Sequence, residues 1–146
     1  MQADIVIKDR GGILKAIIEV KNKKNLTSEA ALFHYRNMMD YGLVEKAPYF
    51  LMISQDTGFL WDDLESGIIS SNPKLEFVMR DVVSRYLPNL GEDRLSGSEL
   101  EFLVIQWLMD FIGLASVAQT EPERSLADIG FREAILGGVV VSGDQI

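Results

Sequence analysis

Residues 17–21 read Ile-Ile-Glu-Val-Lys, and Glu19 and Lys21 are the pair best suited to chemistry. Alternate side chains of a strand share a face, so the carboxylate and the ammonium point one way. Ile18 and Val20 point the other way and can be buried. Taken alone, Glu-X-Lys on a strand describes a solvated face whose ion pair contributes little. Asp4 adds a second acid, just before the apolar run Ile5-Val6-Ile7. Residues that face each other across an antiparallel hairpin have a constant index sum. A sum of 23 sets Asp4 opposite Glu19 and a sum of 21 sets it on the diagonal; both gather Asp4, Glu19 and Lys21 on one face. A sum of 22 without a bulge sends Asp4 to the other face. Two converging carboxylates suit a hard divalent cation, Mg²⁺ or Mn²⁺. Such a cation lowers the pKa of a bound water and stabilises charge on a phosphodiester. A neighbouring lysine orients that water, takes its proton or stabilises the transition state.

These side chains need a hairpin to position them. Residues 3–8 and 13–21 are β-branched runs separated by the turn signal Asp9-Arg10-Gly11-Gly12. A helix follows over residues 27–41, with Thr27 as N-cap, Glu29 in the first turn and Gly42 just past its end. Leu32, Tyr35, Met38 and Met39 give it an apolar face. Strands are expected at residues 49–54 and 59–61, so the opening order is β-β-α-β-β, an α/β signature. Further on, the pattern predicts a helix from Pro73 to Tyr86. A second helix over residues 99–112 has Ser98 as N-cap and Glu101 completing a capping box. Residues 116–125 read as a loop, 131–136 as a helical turn and 139–141 as a last strand.

The chain has 146 residues, which is room for one domain spanning 1–146, with a motif core at 3–62 and a helical part at 73–136. Its 47% hydrophobic and 25% charged residues exclude disorder as a description of the whole. The absence of cysteine excludes disulfides, thiolate catalysis and cysteine-bound zinc. A single histidine, His34, excludes a multi-histidine metal site within one chain, and beside Phe33 and Tyr35 it reads as a packing or hydrogen-bonded side chain. No secretory signal opens the sequence, and the most apolar stretch, residues 102–118, carries Gln106 and Asp110. It reads as a buried helix rather than a membrane span, and the cytoplasm is the expected location.

The net charge of −8 argues against non-specific coating of nucleic acid, but it is unevenly distributed. Residues 1–46 hold eight basic and six acidic side chains, a balance of +2, and the acidity belongs to the rest. Lys23 and Lys24 extend the basic patch beside Lys21 and are candidate phosphate contacts, as is Arg36, with Asn37, on the helix that follows. Equally, each belongs to an ordinary solvated loop or helix face. Trp61 and Trp107 read as packing anchors, and Asp62-Asp63-Leu64-Glu65 as a helix start or solvated turn.

Ala3-Asp4, an apolar strand, a turn, and then Ile17-Ile18-Glu19-Val20-Lys21 resemble the PD-(D/E)XK nuclease superfamily. The run continues through Asn22-Lys23, Thr27-Ser28-Glu29, Arg36-Asn37 and Ala47-Pro48-Tyr49-Phe50-Leu51. In it the chain is similar to small uncharacterised bacterial members, many of them cyanobacterial. The resemblance covers about residues 3–62. It implies a restriction-endonuclease-like fold, a central mixed sheet flanked by helices, and Mg²⁺- or Mn²⁺-dependent hydrolysis of DNA. Asp4 and Glu19 would be metal ligands, with the backbone carbonyl of Val20 as a further ligand, and Lys21 the catalytic lysine. Asp9 is a rival for the first acid, although it sits at the turn. The family normally places a helix and a strand before the strand carrying the first acid, and that helix often brings another glutamate ligand. Here that strand begins almost at Met1. The chain is then a fragment, or its C-terminal region or a second chain supplies the missing elements. DNA is the expected substrate. The expected protein partner is a second copy docked through helix 99–112, or a protein that supplies the missing elements. A non-catalytic module that kept the fold for protein interaction is the alternative.

Overall fold

The computed structural model describes residues 3–67, 69–113 and 119–143. Six strands form one mixed sheet: β1 Ile5–Lys8, β2 Leu14–Val20, β3 Tyr49–Ile53, β4 Thr57–Trp61, β5 Leu75–Val78 and β6 Val139–Ser142. Their order across the sheet is β5-β4-β3-β2-β1-β6. Only β2 and β3 run parallel; every other neighbouring pair is antiparallel. The helices are α1 Ser28–Asp40, α2 Arg80–Tyr86, α3 Gly97–Ile112, α4 Glu123–Asp128 and α5 Phe131–Ile135. No helix among the described residues is long and apolar enough to cross a membrane.

The period-2 pattern of β1 and β2 sorts their side chains onto two cores. Ile5, Ile7, Ala16 and Ile18 face α2, α3, α4 and α5, in a cluster with Val83, Trp107, Phe111, Leu126 and Phe131. Val6 and Ile17 face α1, packed with Ala31, Leu32, Tyr35, Met38, Phe50 and Trp61. The sheet is thus the middle layer of an α/β sandwich, and among the described residues α1 is the α-helix that covers one of its sides. Both tryptophans are buried, as expected of packing anchors.

The first helix forms as its sequence dictates. The Thr27 hydroxyl accepts from the Ala30 N–H at 3.1 Å. At the other end Gly42 adopts φ +65°. Its N–H donates to Met39 O and the Leu43 N–H donates to Met38 O, a Schellman closure. The hairpin turn is fixed by Asp9, whose Oδ1 accepts from the N–H groups of Gly11 and Ile13.

Three expectations are corrected. Residues 73–86 are not one helix: β5 comes first, pairing antiparallel with β4, and α2 starts only at Arg80. The alternation of exposed Glu76, buried Phe77 and exposed Val78 has the strand period, and Gly58 on β4 leaves the room that the Phe77 ring occupies. The segment 73–136 is therefore not purely helical. The capping box of α3 uses Ser96 and Glu99 rather than Ser98 and Glu101. Leu95 and Leu100, which flank that box, lie in the same buried cluster, the arrangement of a hydrophobic staple. The end of the expected 116–125 loop is the start of α4. Its residues 116–118 lie outside the described residues, as do 114–118 of the apolar stretch 102–118.

Candidate metal and phosphoryl-transfer site

The hairpin register decides whether the acids meet. Ile5 pairs with Ile18 and Val6 with Ile17, an index sum of 23, and the one irregularity lies at Lys8, beyond the site. Lys15 is the extra residue of that bulge, because Ile7 pairs with Ala16 and Lys8 with Leu14. Asp4 is therefore opposite Glu19, and the two interlock. The Asp4 N–H donates to Glu19 Oε1 at 3.2 Å, and the Val20 N–H donates to Asp4 Oδ2 at 2.9 Å. The C-terminal strand clamps the same point, since the Gly143 N–H donates to Asp4 O at 2.7 Å.

Glu19 is 4% exposed, the most deeply placed acid of the site. Burial, then a side-chain hydrogen bond and the like charge of Asp4, push its carboxyl up to about 8, against opposing pulls from the Asp4 N–H and from Lys21. A carboxyl held this way is neutral near pH 7 unless a cation replaces its proton. Lys21 leaves the strand at the end of β2, where its N–H donates to Ile53 O of β3 at 2.9 Å. Its side chain is half-buried and makes no ion pair among the described residues.

The structure brings one further residue to this face. His34, on α1, sets Nε2 3.9 Å from Glu19 Oε2. Burial first and then Lys21 lower its pKa, with Asp4 opposing, so the imidazole is neutral near pH 7. The sequence offered a signal for it: His34 lies one turn before Met38 and one residue before Tyr35, both on the buried face of α1.

Other candidates are distributed differently. Asp9 is held in the turn, with Lys15 3.9 Å from its Oδ2, and is no part of the site. Lys23 and Lys24 are both exposed, and Lys24 lines a separate polar cleft with Arg80 and Arg94. Arg36 is exposed and sits two residues, about 200° of helix rotation, from His34, so α1 does not turn both toward the sheet. Asp63 precedes a short 3-10 turn, Leu64–Ser66, with φ +56°, and belongs to a turn.

The oxygen donors present, the carboxylates of Asp4 and Glu19 and the carbonyl of Val20, suit Mg²⁺ or Mn²⁺, ions that bind to few protein ligands and keep several waters. Among the described residues no group of three or more His, Asp or Glu side chains gathers to hold a metal. The additional glutamate that the resemblance leads one to expect is thus not at this site among them. In the sheet, the strand beside β1 comes from the C-terminal region, as β6. Comparison of the chain with models of protein families, with curated proteins and with solved structures gave no match.

Proposed function

We propose that this chain is a metal-dependent nuclease domain of the restriction-endonuclease-like type, acting on DNA. The observation that carries the reading is the interlocked pair Asp4–Glu19 at the carboxyl end of β2, a strand parallel to β3, with Lys21 directly after that strand and its charge acting on Glu19. Open α/β sheets bind ligands at that end. Asp4 and Glu19, with the Val20 carbonyl, would hold Mg²⁺ or Mn²⁺, which when bound supplies Lewis acidity and a more acidic water. Lys21 would offer its ammonium to the negative charge that develops on phosphorus oxygens in the transition state. His34, neutral and beside Glu19, would hold that carboxylate in place by hydrogen bonding through a water or directly once the side chains close.

Wild-type protein is expected to nick supercoiled plasmid DNA with Mg²⁺ or Mn²⁺ and not with a chelator. Glu19→Ala and Lys21→Ala should both abolish nicking, while only Glu19→Ala also removes cation binding measured by calorimetry. A wild-type protein inert on DNA and RNA in every form, and blind to both cations in the calorimeter, would sink the reading.

A second reading, a non-catalytic module that associates through α3, is favoured by that helix's outer side. Phe102 is 73% and Met109 52% exposed there. Inert protein that sediments as a dimer, and as a monomer after Phe102→Lys, is the result that reading requires.

A further inference from the structure

A polar cleft of about 350 Å³ opens between the chain that follows β2, the β3–β4 turn, the start of α2 and the segment before α3. It is lined by Lys24, Asn25, Leu26, Ser54, Asp56, Thr57, Arg80 and Arg94. Three of these are cations and one is an acid, in a chain whose net charge is −8. The acid is already taken, since Asp56 Oδ2 accepts from Arg94 Nη1 at 2.8 Å. The Ser54 hydroxyl is occupied too: it donates to Thr57 O and accepts from the N–H groups of Asp56 and Thr57. A continuation of the cleft toward α2 adds Glu92, which lowers the balance but leaves it positive. Recognition in this cleft therefore rests on the three cations.

Arg94 has donor capacity left over. Its Nη2 is shielded from water and finds no hydrogen-bond partner, although more than a quarter of the side chain is exposed. Because that atom is closed to solvent and Nη1 is held by Asp56, Arg94 as placed contributes positive charge to the cleft wall, and an oxyanion reaches its Nη2 only if the guanidinium turns outward. Lys24 and Arg80 are exposed, make no ion pair among the described residues, and line the same cleft. With Leu26 the one apolar side chain in the lining, the cleft suits a compact, highly charged group rather than an anion with an apolar body.

The cleft adjoins the Asp4–Glu19–Lys21 site. Lys24 is three residues beyond Lys21, so their Cα atoms are at most about 11 Å apart. Ser54, in the cleft wall, follows Ile53, whose carbonyl holds the Lys21 N–H. We propose that Lys24, Arg80 and Arg94 form a phosphate subsite that holds a backbone phosphate of the strand whose neighbouring linkage lies at Asp4 and Glu19. The source of the phosphate rests on the nuclease reading; the anion chemistry of the cleft does not.

The test is made without divalent cation, so that nothing is hydrolysed. Binding of inorganic phosphate and of a dinucleoside monophosphate is followed by amide chemical shifts and calorimetry. The proteins compared are wild type, Lys24→Gln/Arg80→Gln and Glu19→Gln. Both ligands should shift the amides of residues 24–26 and 54–57. The double variant should bind each at least tenfold more weakly with an unchanged circular dichroism spectrum, and Glu19→Gln should still bind inorganic phosphate as wild type does. Equal phosphate affinity in wild type and the double variant overturns the subsite. A tenfold loss for inorganic phosphate but none for the dinucleoside monophosphate overturns the assignment to a nucleic-acid strand. Plasmid nicking by the wild type separates the two ideas. Phosphate bound through Lys24 and Arg80 by a protein that never nicks DNA leaves the cleft standing and removes the nuclease. Nicking by a protein whose cleft ignores phosphate does the reverse.

Discussion

Glu19 carries the strongest electrostatic anomaly of the site, and it ties folding stability to pH. Its carboxyl titrates near 8 in the fold and near 4.5 when exposed. Between those values the unfolded chain has released a proton that the folded chain still holds, so folding stability falls as pH rises. The full contribution is present below about pH 4.5 and is lost as pH climbs through about 8, with a slope of up to about 1.4 kcal/mol per pH unit. Metal-free wild type should therefore lose denaturant resistance steadily from pH 5 to 8, and Glu19→Gln should flatten that slope. His34, whose pKa is lowered, contributes with the opposite sign but is present in both proteins. Parallel slopes in urea titrations of the two proteins would contradict the buried, protonated state of Glu19. Added Mg²⁺ should restore stability to wild type at pH 8 and leave Glu19→Gln little changed, because the cation takes the place of the proton.

At the scale of elements, the site depends on how β6 returns to β1. A Cβ on Gly143 would overlap the Ala3 carbonyl oxygen, which is backbone and cannot swing aside. Gly143→Ala must part residue 143 from residues 3–4 and shift Asp4 from its place, at a cost of about 1–3 kcal/mol by analogy with overpacking. It should also weaken Mg²⁺ binding more than a stability-matched substitution far from Asp4; equal effects in calorimetry would show that the β6 clamp does not position the acid. The α3 start offers a second check. Ser96→Ala removes the hydroxyl that caps the Glu99 N–H and should cost about 1 kcal/mol, while Ser98→Ala, on an exposed side chain, should be near neutral. The reverse order in thermal melts would move the cap back to Ser98. This pair also shows what the sequence could and could not tell. The hairpin, α1 and β3 were readable because Gly12, Thr27 and Gly42 punctuate them and their apolar periods are long. Two serines two residues apart, each followed by a glutamate at the third place, both satisfy the capping pattern, and burial of Leu95 and Leu100 decides between them. β5 is four residues long, too short for its period to outweigh a proline that also fits a helix start. The pairing of β6 with β1 is a contact across almost the whole chain, and the hairpin gives no local signal of it.

Across the whole molecule, the charge asymmetry seen in the sequence has a spatial counterpart. Residues 1–46 carry +2, and Arg80 and Arg94 come from the acidic remainder to stand beside Lys24. The balance of residues 1–46 is legible in the sequence, whereas the approach of Arg80 and Arg94 to Lys24 depends on the fold, since the entire α1–β3–β4–β5 course separates them from it. A basic face assembled this way is small. Lys21, Lys24, Arg80 and Arg94 give at most about four phosphate contacts, and each duplex phosphate contact contributes about −0.9 to the slope of log K against log salt. Affinity for a 20-bp duplex without divalent cation should therefore be weak at physiological salt, with a slope shallower than about −4. Lys24→Gln/Arg80→Gln should reduce the slope by about 2, whereas Arg36→Gln, on the side of α1 away from the sheet, should leave it within about 0.5. A slope steeper than about −6, measured by fluorescence anisotropy between 50 and 200 mM salt, would require a basic surface wider than one cleft and one catalytic lysine.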